Sequence, residues 1–313
     1  MSTAPEPTEL KNLVALDAQG ALVALGKPAV DLQERSARDL QIIAPVELGV
    51  IRDERVAQMV VQAAIAQQKE YLRWKFPPIM MMTVPVQANQ VQLERAQRFL
   101  LSLGAREAYL IAQPLAATIG AGVPIAETAG SVVVQLGSGR VEVAALTLGS
   151  ITVSASCEFG GKSLVEQLRM GLRQQYHLEV SSSAAENLLH SLVLRTDVEQ
   201  RVKITGKEVN TGSAKVLTID GSSLIAPLEQ IINRYVALVI DVLSQVPPAV
   251  TGDIVDRGIL LAGGLAQLPG LSEYLSQQLQ LPCSVVEDPA TAAVRGVRSA
   301  LEHIDAFKEL FVN

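Results

Sequence analysis

The stretch that most constrains the fold lies at residues 131–157, SVVVQLGSGRVEVAALTLGSITVSASC. Three runs rich in β-branched and small apolar residues are separated by the turn Gly137-Ser138-Gly139 and by the dipeptide Gly149-Ser150. Such runs, joined by short turns, predict three sequential antiparallel strands. A helix is predicted next, from Ser163 to Tyr176, because leucines recur there at helical spacing.

The glycine turn between the first two strands is a candidate phosphate site. Without a Cβ at Gly137 and Gly139, an anion can approach the backbone N–H groups of the turn closely. Whether this turn still holds a phosphate is the central functional question that the sequence raises.

Length and composition set the broad class. The length of 313 residues predicts about two domains. The sequence contains no uninterrupted apolar run of about 18 residues, so no membrane-spanning segment is predicted. The net charge is −6 and the basic residues are not clustered, which argues against nucleic acid as a partner. Two cysteines, Cys157 and Cys283, and an N-terminus unlike a signal peptide favour a reducing cytoplasm, with both cysteines expected to be buried.

The first half alternates between strand and helix patterns. Two strands joined at Asp17–Gly20 are predicted within NLVALDAQGALVALGKPAV, followed by a polar stretch at 33–41. Helices are then predicted at 53–68 and at 90–104, on either side of a buried strand, IMMMTVPV.

The second half repeats this alternation after its opening strands. The runs RVKITGKEV and KVLTI predict strands, a helix is expected at 223–245, and a last helix at 291–303. Between those helices, DIVDRGILLAGGLAQLPGL predicts a strand, a double-glycine turn and a helix start.

The two halves differ at their beginnings. By pattern, SGRVEVAALTLGSITVSA corresponds to LKNLVALDAQGALVALGKPAV, but only the second half has a strand, VVVQL, and a glycine turn before this pair. The first half is therefore expected to lack its opening strand, which leaves an exposed sheet edge that favours pairing with another molecule.

A loop at 69–78, KEYLRWKFPP, combines aromatic and basic residues. Either the aromatic residues of this loop fold back on the core, or the loop forms a tip that inserts into a membrane interface. Aromatic rings and cations both interact favourably with such an interface. The residues of the tip would be Arg73, Trp74, Lys75 and Phe76.

Three ordered stretches carry a family resemblance: residues 110–154, beginning LIAQPLAATIGAG, then DIVDRGILLAGGLAQLPGL, then VEDPATAAVRG. From Asn12 to about Leu301 the chain resembles the MreB-type bacterial actin homologues. The resemblance implies an α/β, actin-like (RNase H-like) fold of two domains, each a mixed sheet with flanking helices. It places the first domain at 10–127 and 290–313, with a reduced outer subdomain at 33–52, and the second at 128–289, with an outer subdomain at 179–222.

The resemblance also maps a nucleotide site that is degenerate in this chain. The family's first phosphate loop has no counterpart. In the second loop, Gly137, Ser138, Gly139 and Arg140 remain as vestigial nucleotide-binding residues, while Gln135 replaces the carboxylate that organises hydrated Mg²⁺. A hard dication needs anionic oxygen, so the resemblance implies no metal site and no resident cofactor.

The remaining positions of that site are also altered. Gln113 matches the residue that positions the attacking water, and is vestigial here together with Gln135. Lys162 lies in the former ribose loop, and Gly263 and Gly264 are followed by Leu265 in place of a third glycine. On the adenine side, Leu189 and Ser191 replace the family's lysine and glutamate.

The resemblance therefore implies a cytoskeletal, cell-shape protein that forms filaments with itself or with a complete MreB, as a pseudo-ATPase on the inner face of the cell membrane. The alternatives are an ATPase that binds ATP and Mg²⁺ through a rebuilt site with Arg140, Lys162 and Gln113, and a monomeric MreB regulator.

Three other sequence patterns suggest alternatives, and each departs from the motif that it would need. GGKS at 160–163 is similar to the end of a P-loop, but Ser156 stands where that motif needs its first glycine. Gly137-Ser138-Gly139 is similar to the start of a dinucleotide motif, but a strand follows it rather than a helix. His177, His190 and His303 lack metal-ligand spacing.

Overall fold

The protein is described by a computed structural model that covers residues 7–35, 39–67, 77–124, 129–195 and 197–312. The chain divides into two compact units, Met1–Ala112 with Phe307–Asn313, and Gln113–Ala306. Both units combine strands and helices, which confirms the predicted α/β class. The domain boundaries given by the family resemblance stay a prediction.

The first unit contains short strands followed by one parallel pair. Its strands are β1 (Val14–Leu16), β2 (Leu22–Leu25), β3 (Gln41–Ile43), β4 (Val46–Glu47), β5 (Val50–Ile51), β6 (Ile79–Val84) and β7 (Glu107–Ala112). Its helices are α1 (Lys27–Glu34), α2 (Glu54–Gln67) and α3 (Gln90–Ser102).

The second unit contains a longer succession of elements. Its strands are β8 (Ser131–Leu136), β9 (Val141–Thr147), β10 (Ser150–Cys157), β11 (Leu178–Glu179), β12 (Arg201–Glu208), β13 (Ala214–Asp220), β14 (Ile259–Ala262) and β15 (Cys283–Val285). Its helices are α4 (Gln113–Gly120), α5 (Gly161–Tyr176), α6 (Ser182–Ser191), α7 (Ile225–Gln245), α8 (Pro248–Arg257), α9 (Leu271–Leu279) and α10 (Ala292–Glu302), and α11 (Ile304–Phe307) leads into the C-terminal residues.

The strands of the first unit form three separate sheets within the described residues. One is antiparallel with the order β2-β1-β3, one is the β4–β5 hairpin, and one is the parallel pair β6–β7. An antiparallel bridge joins Leu110 of β7 to Val312 near the C-terminus. The predicted hairpin at Asp17–Gly20 is confirmed, and Gly20 N–H donates to the Asp17 carbonyl across the turn.

Helix α3 shows why this sequence begins a helix where it does. Asn89 caps the helix by accepting a hydrogen bond from the Gln92 N–H, and the Gln92 side chain accepts one from the Asn89 N–H. The buried residues Leu93, Ala96 and Leu100 then recur at helical spacing and pack in one core with Val84 of β6 and Leu110 of β7.

The second unit is built on a five-stranded sheet with the order β10-β9-β8-β14-β15. β8 lies at its centre, antiparallel to β9 and parallel to β14, and all six of its residues are buried. The three predicted antiparallel strands are thereby confirmed. Helices α5 and α7 cover the face that carries Val132, Val134 and Leu136. A smaller sheet, β11-β12-β13, contains the predicted strands RVKITGKEV and KVLTI.

Helices α4 and α10 approach each other closely because glycines lie at their contact. A Cβ at Gly120 would lie 1.8 Å from the Ala292 carbonyl oxygen, and a Cβ at Gly296 would lie 1.7 Å from the Ala116 carbonyl oxygen. Neither position therefore accepts a side chain without moving a helix apart from its partner.

Some predictions of local structure were wrong. Lys27–Val30 begins helix α1 rather than ending a strand, and Pro248–Arg257 forms helix α8 rather than leading directly into a strand. Each helix has a proline in its first turn, where the missing N–H is not needed. Cys157 and Cys283 are half-buried rather than buried, because each lies at an end of a strand at the rim of its sheet.

Helix α7 with the turn before it, Gly221–Gln245, is long and apolar enough to cross a membrane by length and composition alone. Its buried residues Leu228, Ile232 and Tyr235 recur at helical spacing and join the core of the second unit. Its other face carries charged residues such as Arg234 and Asp241, so the helix is amphipathic.

Candidate phosphate-binding site of the second unit

The glycine turn after β8 is held by the start of helix α5. Gly137 N–H donates to the Arg140 carbonyl at 3.0 Å, which closes the turn between β8 and β9. Gly161 N–H and Lys162 N–H then donate to the carbonyls of Gly137 and Ser138, at 3.1 and 2.7 Å. The first N–H groups of α5 therefore bind the turn itself.

Glycines are required where these two turns touch. A Cβ at Gly160 would lie 2.5 Å from the Gly137 carbonyl oxygen and 2.6 Å from that of Ser138. A Cβ at Gly137 would lie 2.7 Å from the Arg140 carbonyl oxygen. GGKS at 160–163 thus serves the close contact of helix and turn, whereas in a P-loop those N–H groups face phosphate oxygens.

A third glycine turn, after β14, joins the same end of the sheet. Gly263 has φ 90° and a Cβ there would lie 2.3 Å from the Leu136 carbonyl oxygen, so only glycine fits. Gly264 faces open space and is exposed. Leu265, at the position of a third family glycine, is only 5 % exposed and packs in the core. The predicted residues Gly137, Ser138, Gly263 and Gly264 thus lie close together.

Gln135 lies at the base of the glycine turn, on the central strand β8. It is 4 % exposed, and its register partners are Glu142 of β9 and Ala262 of β14. Its side-chain oxygen Oε1 is buried and accepts no hydrogen bond from the described residues. Paired residues of neighbouring strands share a face, so this neutral amide lies beside Glu142, which is 1 % exposed.

Arg140, the last residue of the turn, is directed to the end of β10. Its Nη1 donates to Ser156 Oγ at 3.3 Å, and its Nη2 lies 3.4 Å from Glu158 Oε1. Its side chain is 17 % exposed, and its buried Nε has no acceptor among the described residues. The guanidinium is therefore paired with a carboxylate that follows the end of β10.

Sequence reasoning missed Ser156 and Glu158 as the partners of Arg140. The pairing of β9 with β10, in which Val141 lies opposite Cys157, brings these side chains beside the turn. That register depends on a β-bulge between Ile151 and Val153, which the sequence pattern did not indicate.

Other predicted residues occupy varied positions at the site. Lys162 is exposed in the first turn of α5, with no ion pair to its ammonium among the described residues. Gln113 is the half-buried first residue of α4. Leu189 is 2 % exposed in the core, and Ser191 Oγ donates to the Leu188 carbonyl at 2.8 Å.

Cys157, at the end of β10, lies within the electrostatic reach of Arg140 and Arg234. Burial raises the pKa of its thiol, although hydrogen bonds with the backbone at Phe159 and Val141 and the two arginines act in the opposite direction. A raised pKa favours the protonated thiol, which is a poor nucleophile.

The sequence predicts no metal site, and it predicts a membrane contact in the aromatic loop. No group of three or more His, Cys, Asp or Glu residues in the described ranges is arranged to hold a metal ion. Arg73, Trp74, Lys75 and Phe76, the predicted membrane contacts, lie outside the described residues.

The fold defines the class of protein. The chain is similar to MreB5 of Spiroplasma citri bound to AMPPNP, with a TM-score of 0.86, 25 % identity, and coverage of 95 % of this chain and 90 % of that one. It is also similar in fold to MamK in a double helical filament, with a TM-score of 0.75, 17 % identity, and coverage of 94 % and 91 %. The protein is thus an actin-like protein, as the resemblance implied.

Sequence comparison identifies the family within that class. The family model for MreB/Mbl protein matches residues 9–309. The chain is 32 % identical over 287 residues to the cell shape-determining protein MreB of Escherichia coli K12, which covers 91 % of this chain and 83 % of the relative. The chain belongs to the MreB/Mbl family.

Proposed function

We propose that this chain is a cytoskeletal protein of the MreB type that forms membrane-associated filaments without hydrolysing ATP. The observation that carries the proposal is Gln135, a neutral and buried amide at the base of the glycine turn, where the family has a carboxylate. The relatives are named for cell-shape determination, and this chain is proposed to act in the same process.

The residues at the turn do not fit a hydrated magnesium ion. Magnesium holds its waters in a near-octahedral shell and needs anionic oxygen beside them. Gln135 supplies a neutral oxygen that is buried, while the carboxylate of Glu158 lies beside Arg140. The position where the family has its metal-organising carboxylate therefore carries no charge in this chain.

The backbone of the site is also less available to phosphate. Helix N-termini bind phosphate through N–H groups that have no partner in the helix. Here the Gly161 and Lys162 N–H groups are already donated to the Gly137 and Ser138 carbonyls. Each charge-assisted contact that is lost costs about 1.5–3 kcal/mol, so several losses together would remove the roughly 8 kcal/mol of a micromolar site.

Assembly is the function that remains. MamK, which shares the fold, is described as a double helical filament. Filament contacts depend on surfaces, so this chain is proposed to polymerise with itself, or together with a complete MreB, in the cytoplasm at the inner face of the cell membrane. Because no γ-phosphate would be bound, nucleotide hydrolysis would not control that assembly.

A phosphate-release assay with ATP and Mg²⁺ tests the missing activity. The wild-type chain is expected to release phosphate at the rate of the buffer alone. Arg140→Ala and Lys162→Ala serve as matched variants, and they are expected to give the same background rate. The proposal would be contradicted if the wild type released phosphate above background and either substitution abolished that release.

That contrary result would support the second candidate function, an ATPase with a rebuilt site. Two observations favour it: the exposed Lys162 ammonium has no described ion-pair partner, and Gly264 leaves open space beside the turn. MreB5 binds AMPPNP in its crystal structure. In this alternative, ATP and Mg²⁺ would be cofactors, with Gln113 positioning the attacking water.

Membrane association is tested separately through the aromatic loop. Trp74→Ala with Phe76→Ala is expected to abolish sedimentation with anionic liposomes, because the rings and neighbouring cations supply the interfacial contact. Val91→Ala with Leu101→Ala is the matched control, since both are exposed apolar residues of α3, at 70 % and 46 %. Equal sedimentation of both double variants would refute the loop's role.

Sedimentation velocity separates filaments from the third possibility, a monomeric regulator. The filament proposal predicts large species at micromolar concentration in the protein alone. A single species of monomer size that incorporates only into filaments of a complete MreB would favour the regulator.

A further inference from the structure

Strand β6 has the sequence of a central strand but not its surroundings. Its six residues, IMMMTV, form a continuous uncharged and mainly apolar run, which is typical of a parallel strand covered on all sides. The sequence predicts a buried strand, yet only Val84 is buried and the other five residues are half-buried. The prediction of a buried strand was wrong, and the reason lies at the edges of the strand.

Only one edge of β6 is paired within the described residues. β7 lies along it in parallel, from Ile79 opposite Glu107 to Val84 opposite Ala112. The far edge of β7 is met by the bridge from Leu110 to Val312. The far edge of β6 has no strand along it in the part of the chain that the structure describes.

The second unit shows what such an edge accepts. There, β14, α9, β15 and α10 follow one another as β6, α3, β7 and α4 do, and β14 pairs in parallel with β15 as β6 does with β7. The remaining edge of β14 is occupied by β8, also in parallel, with Leu260 opposite Val133. By this internal repeat, the open edge of β6 corresponds to the edge of β14 that β8 occupies.

The chemistry of β8 therefore specifies the occupant. β8 is six residues long, SVVVQL, with no charge and no proline, and all of it is buried. β6 likewise carries no ionisable side chain, so the edge matches an uncharged strand and lacks the lysines that usually protect exposed edges. The three methionines of β6 have flexible side chains that adapt to different partners.

We propose that the open edge of β6 binds an extended, uncharged apolar segment of a second polypeptide, about six residues long and parallel to β6. Binding continues the β6–β7 sheet through main-chain hydrogen bonds, with side-chain packing against the methionines. A second copy of this chain is disfavoured, because a two-fold pairing of β6 with its equivalent places the strands antiparallel, whereas the repeat accepts a parallel strand.

The test uses a fluorescent peptide with the sequence of residues 131–138, SVVVQLGS, extended by two lysines for solubility. Fluorescence anisotropy with the full chain is expected to show saturable binding. Two further peptides carry N-methyl groups at alternate residues, one set on each edge of the strand. Loss of at least about tenfold in affinity for one set or both is expected, because methylation removes the donors that face β6.

Protein variants locate the binding edge. Neighbouring residues of a strand direct their N–H groups to opposite edges, so one of Met81→Pro and Met82→Pro removes a donor toward β7 and the other a donor toward the open edge. The variant that keeps the circular dichroism spectrum and unfolding temperature of the wild type is expected to lose peptide binding. If both variants misfold, the methylated peptides alone decide the question.

Four results would overturn the proposal. Absence of binding to the full chain would remove the site, and binding that appears only after deletion of residues 1–6 would identify the chain's own tail as the occupant. Binding of both methylated peptides with the affinity of the unmethylated peptide would place the peptide on a side-chain surface rather than on a strand edge. A dimer of the chain that the peptide dissociates would assign the occupant to a second copy.

Discussion

The two parallel strand pairs of this protein share an order of elements but differ in their surroundings. β14 and β15 belong to a five-stranded sheet in which Ile259, Leu261 and Ala262 are fully buried. β6 and β7 form a two-stranded sheet in which most of β6 is half-buried. The comparison shows that one strand, β8, supplies both the burial of its neighbour and the glycine turn that follows it. A unit whose described residues contain no such strand lacks both features.

Truncation of one residue in each pair gives the largest expected difference. Leu261→Ala in β14 is expected to lower the free energy of unfolding by about 2–5 kcal/mol, because the side chain is fully buried. Met81→Ala in β6 is expected to cost less than about 1 kcal/mol, because the residue is half-buried and outside the described core of its unit. Urea unfolding of both variants measures the contrast, and equal costs would show that β6 is as enclosed as β14.

The close contact of α4 and α10 is the next largest effect. Gly296→Ala is expected to destabilise the second unit by about 3 kcal/mol, because the new Cβ collides with the Ala116 carbonyl. Gly252→Ala in α8 is the matched control, since no atom lies within 4 Å of its Cβ position, and it is expected to stabilise by about 0.4–1 kcal/mol. Thermal unfolding followed by circular dichroism checks both, and a silent Gly296→Ala would contradict the described contact.

A smaller effect is expected from Tyr235, a fully buried residue of α7 in the second unit. Its hydroxyl has no hydrogen-bond partner among the described residues, and burial raises its pKa far above the usual value. Tyr235→Phe removes a buried unsatisfied group, so a gain of about 1 kcal/mol in unfolding free energy is expected. A loss of that size in a urea titration would mean that the hydroxyl is bonded in solution.

The smallest effect concerns a hairpin turn that occurs once in each unit. Leu48 and Leu148 both have positive φ, 51° and 52°, and each precedes a glycine with φ 76°. Asparagine tolerates this conformation better than leucine, so Leu148→Asn, at a site 61 % exposed, is expected to stabilise by about 0.5–1 kcal/mol. Leu48 is half-buried, so Leu48→Asn is expected to gain less, because lost burial offsets the relief of strain. If thermal unfolding showed a larger gain in stability for Leu48→Asn than for Leu148→Asn, lost burial at Leu48 would not offset the relief of strain.

Much of the fold could be predicted from local patterns. The three strands of 131–157 and helices α3, α5 and α7 follow from residue periodicity and from glycines at their turns. Helices α1 and α8 were missed because their short apolar runs also suit strands, and prolines in their first turns were not read as helix starts. The exposure of β6 depends on a neighbouring strand, and no pattern within β6 indicates whether that neighbour is present.

The candidate site was predictable in part. The turns at Gly137 and Gly263 could be located because glycine is required where backbones approach closely. The pairing of Arg140 with Glu158 could not, since it depends on the register of β9 with β10 around a bulge. The hydrogen bonds that use the first N–H groups of α5 depend equally on tertiary contact.

The most direct test of the central claim is a calorimetric titration of the purified chain with ATP and Mg²⁺, with electron microscopy of the same sample. No binding heat and visible filaments are expected, because Gln135 supplies no charge for the metal and the turn occupies the N-terminus of α5. Binding in the micromolar range, with filaments that form only when nucleotide is present, would contradict the central claim.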